Sequence, residues 1–326
     1  MWKSRLVKVG LFFIMVWVIF LSLDYFITDK LSTVQTKQNW ILNLTNKSVD
    51  YIVIGSSKSE QGADVTTIYK NSKLDGLNLS CSGCGIAEQF LLLNEFLQKN
   101  YTKNVLLMVD FTTFDPNQFT YPFHDYLYFH RFGDTDVSNV IFDQTNVKKF
   151  LIWKYIPFVR YAEFNSEFKR LIYNEIKLEI DNRGFSNPKK TKVINSQRTN
   201  SFDNQSNGIQ KYDEINRMKI DDQAKNYLNK IINLCETKKI KLILASFPEY
   251  TKGSPNFEIK VRNPLRNLVR LIALENNLKY LDLTELELCQ NKNNFNNDGV
   301  HLNLTGLTLL TPILENLLLK NFEINQ

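Results

Sequence analysis

Ser57 ends a short run, Gly55-Ser56-Ser57, that follows four apolar residues, Tyr51–Ile54. Far downstream, Asp298-Gly299-Val300-His301 lies in a polar stretch just before an apolar C-terminal segment. A serine hydroxyl is a weak nucleophile at neutral pH and needs a base within hydrogen-bond reach. An imidazole supplies that base, and a carboxylate three residues earlier can fix its tautomer on a tight loop. Ser57, His301 and Asp298 are therefore the candidate catalytic residues. At a strand-to-helix turn the Ser57 N–H is free to face an oxyanion. Gly83, in Cys81-Ser82-Gly83-Cys84, lets the backbone approach a substrate with no side chain in the way. The same residues have plainer readings. Ser57 can be only a helix N-cap, Asp298 a cap of the last helix, His301 a surface residue and Gly83 a turn. His124 and His130, the other two of three histidines, fall in aromatic-rich segments, where they read as loop residues or as the lining of a cleft.

The elements that must position these groups alternate. Tyr51–Ile54, Leu74–Leu79, Asn104–Val109, Lys241–Ser246 and Leu278–Leu283 read as strands. The near-continuous apolar character of Asn104–Val109 indicates burial on both faces. Helical patterns cover Glu60–Lys70, 86–99, Asp221–Lys238, Val261–Asn276 and Thr305–Lys320, with Pro264 in a first turn and Pro312 as an expected kink. Such alternation predicts a mostly parallel five-stranded sheet between two helical layers, a three-layer α/β/α sandwich. Sites in such sheets lie beyond the carboxyl ends of the strands, where Ser57, Gly83 and Asp110 all fall. Residues 115–220 break the rhythm and read as a helical and loop insertion: aromatic loops around 121–130, an amphipathic stretch at Val147–Ile180, and a polar run, Asn182–Asn207, expected to be a mobile loop.

The segments resemble, in order, the blocks of the SGNH, or GDSL-type, hydrolase superfamily. Ile54-Gly55-Ser56-Ser57-Lys58-Ser59 resembles the nucleophile block, Asn78-Leu79-Ser80-Cys81-Ser82-Gly83 the block whose glycine donates to the oxyanion, and Asp298-Gly299-Val300-His301-Leu302-Asn303 the block of acid and base. The resemblance implies a flavodoxin-like fold and the roles of nucleophile for Ser57, base for His301, orienting acid for Asp298 and oxyanion donor for Gly83. It covers most of residues 50–320 apart from the insertion. Two departures stand out. Ser56 replaces the usual aspartate, and the third strand runs into Val109-Asp110-Phe111-Thr112-Thr113 without the asparagine that normally completes the oxyanion hole. Thr112, Thr113 or a residue of the insertion would have to replace it. The variant nucleophile block together with the N-terminal segment described next resembles membrane-tethered branches that acylate exported polymers, such as the teichoic-acid D-alanylation and alginate acetylation proteins. That implies an esterase or O-acyltransferase acting on an exported glycan or cell-envelope polymer, with a membrane-bound acyltransferase as a further partner. The alternative is a non-catalytic envelope module that binds glycan or recruits such an acyltransferase.

Leu6–Ile27 is apolar enough to span a bilayer, and Lys3, Arg5 and Lys8 before it place the N-terminus in the cytoplasm and the main domain outside. No small-x-small cleavage pattern follows, so a single-pass anchor is favoured over a cleaved signal. The expected organisation is an anchor at 1–27, a polar stalk or first helix at 28–48 and the SGNH-like domain at 49–326. The net charge of +6 is spread among mixed-sign residues, which gives no nucleic-acid stripe. No cofactor and no metal site are expected. Cys81, Cys84, Cys235 and Cys289 suit an exported domain and leave open a disulfide, a redox or metal pair at Cys81–Cys84, or buried thiols.

Overall fold

The strands are β1 (Ser48–Ile54), β2 (Gly76–Asn78), β3 (Tyr101–Met108), β4 (Lys241–Ser246) and β5 (Lys279–Asp282). They form one sheet in the order β2-β1-β3-β4-β5, and every pair is parallel. This is a computed structural model, and it describes residues 2–33, 36–114, 125–156, 159–164, 180–186, 220–252 and 258–322. Tyr51–Ile54, Val105–Met108 and Leu242–Ser246 are buried throughout, which requires cover on both faces of the sheet. β2 is shorter than the predicted Leu74–Leu79. The chain beyond it still follows β1, with Leu79 N–H donating to the Val53 carbonyl at 2.7 Å.

The longer helices are α1 (Trp2–Thr33), α2 (Lys37–Asn43), α3 (Ser57–Gly62), α4 (Val65–Ser72), α5 (Ile86–Lys99), α6 (Thr135–Gln144), α7 (Val147–Tyr155), α8 (Asp222–Thr237), α9 (Asn263–Glu275) and α10 (Leu304–Asn321). α10 packs on α3 and α4 on one face of the sheet, and α8 packs on α5 on the other. The three-layer α/β/α architecture is therefore as the alternation predicts. One detail differs. The single helix expected over Glu60–Lys70 is two helices, because the Asp64 side chain accepts the Thr67 N–H at 2.8 Å and starts a new helix. Pro312 lies inside α10, which continues past it.

Contacts divide the chain into two compact units, Met1–Trp40 with Pro122–Leu178, and Ile41–Tyr121 with Glu179–Gln326. In the first, α1 extends well past Ile27, and Ile27 and Leu31 are buried. Residues 28–48, read as a stalk or a first helix, hold the end of α1, then α2 and the first residue of β1. The aromatic run at 126–130 is not a loop. Asp125–Tyr128 is a helical turn and Phe129–Arg131 a 3₁₀ turn. Phe129 is buried against the rings of Trp153 and Tyr161 at 5.1 and 5.6 Å, so these aromatics form a core. His124 lies outside the described residues. His130 is half-buried in the 3₁₀ turn, and burial lowers its pKa.

In the second unit, residues 182–186 depart from the mobile loop expected over Asn182–Asn207. Phe185 is buried in the main core. Asp181 accepts the N–H groups of Arg183 and Phe185, and the Arg183 carbonyl accepts the Asn78 N–H at 2.9 Å. A single buried aromatic and an Asp-based turn fix the segment, a signal too short to appear in composition. The rest of that polar run lies outside the described residues.

Candidate active site

β1 ends at Ile54, and the chain turns through Gly55 and Ser56 into α3, whose first residue is Ser57. The turn sits where β1 and β3 lie side by side while their connections leave in opposite directions, the topological switch point of the sheet. Glycine is required at 55 because a Cβ there would lie 2.5 Å from both Met108 Cβ and Ser59 Oγ. Ser56 is the N-cap by backbone geometry, but its side chain caps nothing; its hydroxyl faces Asp110 Oδ2 at 3.4 Å. Ser57 therefore sits at the open end of a helix rather than serving as its cap.

The loop before α10 is a small preorganised hairpin. Phe295 and Leu302 form an antiparallel bridge, Asn296 N–H donates to the His301 carbonyl at 2.8 Å, and Asn303 caps α10 through Gly306 N–H at 3.1 Å. Gly299 adopts a positive φ of 66° at its tip, a conformation that favours glycine. Within it, Asp298 Oδ1 accepts the N–H groups of Val300 and His301 at 2.8 and 2.9 Å, and Oδ2 lies 2.8 Å from His301 Nδ1. His301 Nε2 lies 2.7 Å from Ser57 Oγ. The structure brings together Ser57, His301 and Asp298, three residues from opposite ends of the chain.

Partial burial opposes ionisation of Asp298, yet the hydrogen bonds from the His301 ring and from the two backbone N–H groups hold its carboxyl below the ordinary range. An ionised Asp298 can only accept, so the proton of a neutral His301 resides on Nδ1. Nε2 is left with a lone pair facing the Ser57 hydroxyl, the arrangement a general base needs. The pair is open to solvent, with side-chain exposures of 23% for His301 and 41% for Asp298.

A buried ionic cluster underlies this triad. Lys58, the residue after Ser57, places Nζ 2.6 Å from Glu249 Oε2 and 3.7 Å from Asp110 Oδ2. Glu249 also accepts from Arg262 Nε at 2.5 Å. Burial alone would favour the neutral acid, but the Lys58 and Arg262 charges win and lower the Glu249 pKa to about 2. The next residue, Tyr250, donates its N–H to the Gly299 carbonyl at 2.8 Å. A continuous path therefore links the residue beside Ser57, the loop after β4 and the loop that carries His301. Sequence reading missed Lys58 and Glu249; a lysine directly after the serine and a glutamate beyond a strand end carry no spacing signal of their own.

On the oxyanion side, the Ser57 and Gly83 N–H groups make no hydrogen bond among the described residues. Gly83 has a positive φ of 77°. Its loop is held to the nucleophile turn by Cys81 N–H to the Gly55 carbonyl at 3.1 Å, by Ser59 Oγ to Ser80 Oγ at 2.8 Å and by a short Ser82–Glu60 hydrogen bond. Asn78 is committed to structure, donating to the carbonyls of Ser59, Glu60 and Ala63. Thr113 is turned away: its hydroxyl accepts the Asp110 N–H at 3.0 Å. The Thr112 side chain lies outside the described residues. All four cysteines are buried free thiols, and burial raises the pKa values of Cys84, Cys235 and Cys289, which makes them poor nucleophiles. Among the described residues no cluster of His, Cys, Asp and Glu has the makings of a metal site.

No protein-family model matches the chain, and no curated protein matches it in sequence. Solved structures are similar to it at low identity. A candidate acylhydrolase from Bacteroides fragilis is 10% identical with a TM-score of 0.43, over 90% of this chain and 98% of its own. A lipase/acylhydrolase from Enterococcus faecalis is 12% identical with a TM-score of 0.40, over 85% and 99%. A Streptococcus pneumoniae protein described as a candidate platelet activating factor is 11% identical with a TM-score of 0.43, over 92% and 98%.

Proposed function

We propose that this chain is an SGNH-type serine enzyme of acyl-ester chemistry, an esterase or O-acyltransferase. The observation that carries the reading is the relay Asp298–His301–Ser57, with ring nitrogens 2.8 and 2.7 Å from the carboxylate and the hydroxyl. Ser57 Oγ attacks the acyl carbon as its proton passes to His301 Nε2. The tetrahedral oxygen is received by the N–H groups of Ser57 and Gly83. Collapse breaks the ester bond, and the alcohol leaves with the proton from His301. A water or a sugar hydroxyl then takes the acyl group from Ser57 by the same steps in reverse.

The substrate we infer is an acyl ester on an exported glycan or cell-envelope polymer. The open setting of His301 and Asp298 suits a bulky chain. Among the described residues one helix, Arg5–Thr33, is long and apolar enough to cross a membrane, with a mean hydropathy of 2.5 in its apolar window. Basic residues before it would keep the N-terminus in the cytoplasm and the catalytic unit outside, where a membrane-bound acyltransferase could supply the acyl group. The test is turnover of a chromogenic acetyl ester by the full chain in detergent. Activity lost in Ser57→Ala supports the reading; equal turnover by both proteins refutes it. One observation favours a non-catalytic glycan-binding module instead: β3 runs into Val109-Asp110-Phe111-Thr112-Thr113 with no asparagine there, and the Thr113 hydroxyl is engaged by the Asp110 N–H. Glycan binding by a protein that turns over no ester would establish that alternative.

A further inference from the structure

We propose that α7 lies on the bilayer surface beside the exit of α1, as a second, interfacial membrane contact of this chain. The inference goes beyond the catalytic reading and rests on α1 being inserted.

The exposed apolar residues of α1 run from Leu6 to Leu23, about 27 Å of helix, close to the thickness of a hydrocarbon core. Asp24 follows at once, and Tyr25 and Phe26 beside it are 75% and 57% exposed, as aromatic residues at a headgroup boundary are. This is the exit level, and the first compact unit is fastened there. Arg160 pairs with Asp24, and the hydroxyls of Tyr161 and Thr28 lie 2.7 Å apart. The Arg160 guanidinium also stacks over the rings of Phe129, Phe132 and Tyr161, which fixes its position.

α7 ends five residues before Arg160. Its inner face is Phe150 and Trp153, both buried. Its outer face is a stripe one turn apart, Val147, Leu151 and Tyr155, each 46–64% exposed. Ile156 and Val159 are also exposed. At 100° per residue Lys148 and Lys154 flank the stripe on its two sides, and both are exposed. Apolar centre and cationic margins describe a helix lying in the interface plane, with lysine stems over the apolar face and ammonium groups among anionic headgroups. Continuity with the spanning helix selects the bilayer as the occupant of this face.

The test is site-directed spin labelling of the full chain in vesicles of phosphatidylcholine and phosphatidylglycerol, with the native buried thiols as the unlabelled background. Leu151→Cys reports the stripe, Ile14→Cys the span and Leu274→Cys an exposed site of the other unit. The expected result is that the labels at 151 and 14 relax with lipid-dissolved oxygen and are shielded from an aqueous nickel chelate, while the label at 274 shows the reverse. Lys148→Glu with Lys154→Glu is expected to lower the oxygen-to-nickel ratio at 151 and leave that at 14 unchanged. A label at 151 as open to nickel as the one at 274, or shielded from both reagents as in a protein contact, overturns the proposal. A label at 14 that reads as aqueous overturns it at its foundation, since α1 would then not be inserted. Neither result bears on Ser57 turnover.

Discussion

Lys58 and Glu249 meet at 2.6 Å inside the unit that holds the triad, joining the residue after the nucleophile to the residue before the one that holds the base loop. Both side chains are nearly inaccessible to water. Lys58→Met leaves the Glu249 charge to Arg262 and takes an ammonium away from Asp110. We expect it to destabilise the fold by about 3–5 kcal/mol, and Lys58→Met with Glu249→Leu to cost less than the two single losses combined. Urea unfolding of the two single variants and the double variant measures the coupling. Equal and additive losses would show that the pair does not act as a unit.

The same glutamate sets an acid dependence. Its pKa is lowered from 4.5 to about 2 in the fold. A depressed carboxyl contributes stability that is fully present above its unfolded value and is lost as pH falls through the folded value. The stability gap between the native chain and Glu249→Gln should therefore be constant above pH 5 or so and shrink as pH falls toward about 2. Denaturant midpoints across that window check it; a gap that widens in acid contradicts the sign.

Asp298→Asn keeps the shape of the loop and reverses the ring. An amide N–H facing His301 Nδ1 would move the ring proton to Nε2, leaving no lone pair for Ser57. The expected outcome is a fall in kcat of about 10²–10⁴ with little change in KM. A larger change in KM than in kcat would assign Asp298 to substrate binding instead.

Gly55→Ala tests the close approach of β1 to β3. The added Cβ meets Met108 Cβ at 2.5 Å, and overpacking of this kind costs roughly 1–3 kcal/mol. Because the strain falls two residues before Ser57, ester turnover should drop by more than the unfolded fraction explains. Turnover that tracks only the folded fraction would show that the turn absorbs the methyl group without moving the serine.

The sheet was legible because its strands are apolar on both faces and the helices between them keep period and caps, as in Lys241–Ser246 and Asp221–Lys238. Ser57, Asp298 and His301 were legible as types at the right ends of the right elements, and the structure places them in one relay. The parts that escaped have physical reasons. Asp64 restarts a helix with one side-chain hydrogen bond, and one buried ring, Phe185, with an Asp181 turn holds the segment around it; neither changes the local composition. The aromatics at 126–130 signal burial, but burial against α7 and Tyr161 cannot be told from the lining of a cleft without the packing. Lys58 and Glu249 are charged residues buried in a cluster with Asp110 and Arg262, and sequence patterns assign such residues to the surface.

Activation of Ser57 by His301 is read out by intact-mass and peptide analysis after reaction with a fluorophosphonate. One adduct, on Ser57, is expected from the native chain and is lost in His301→Ala. An unmodified Ser57 in a folded native chain, or labelling that persists without His301, would contradict it.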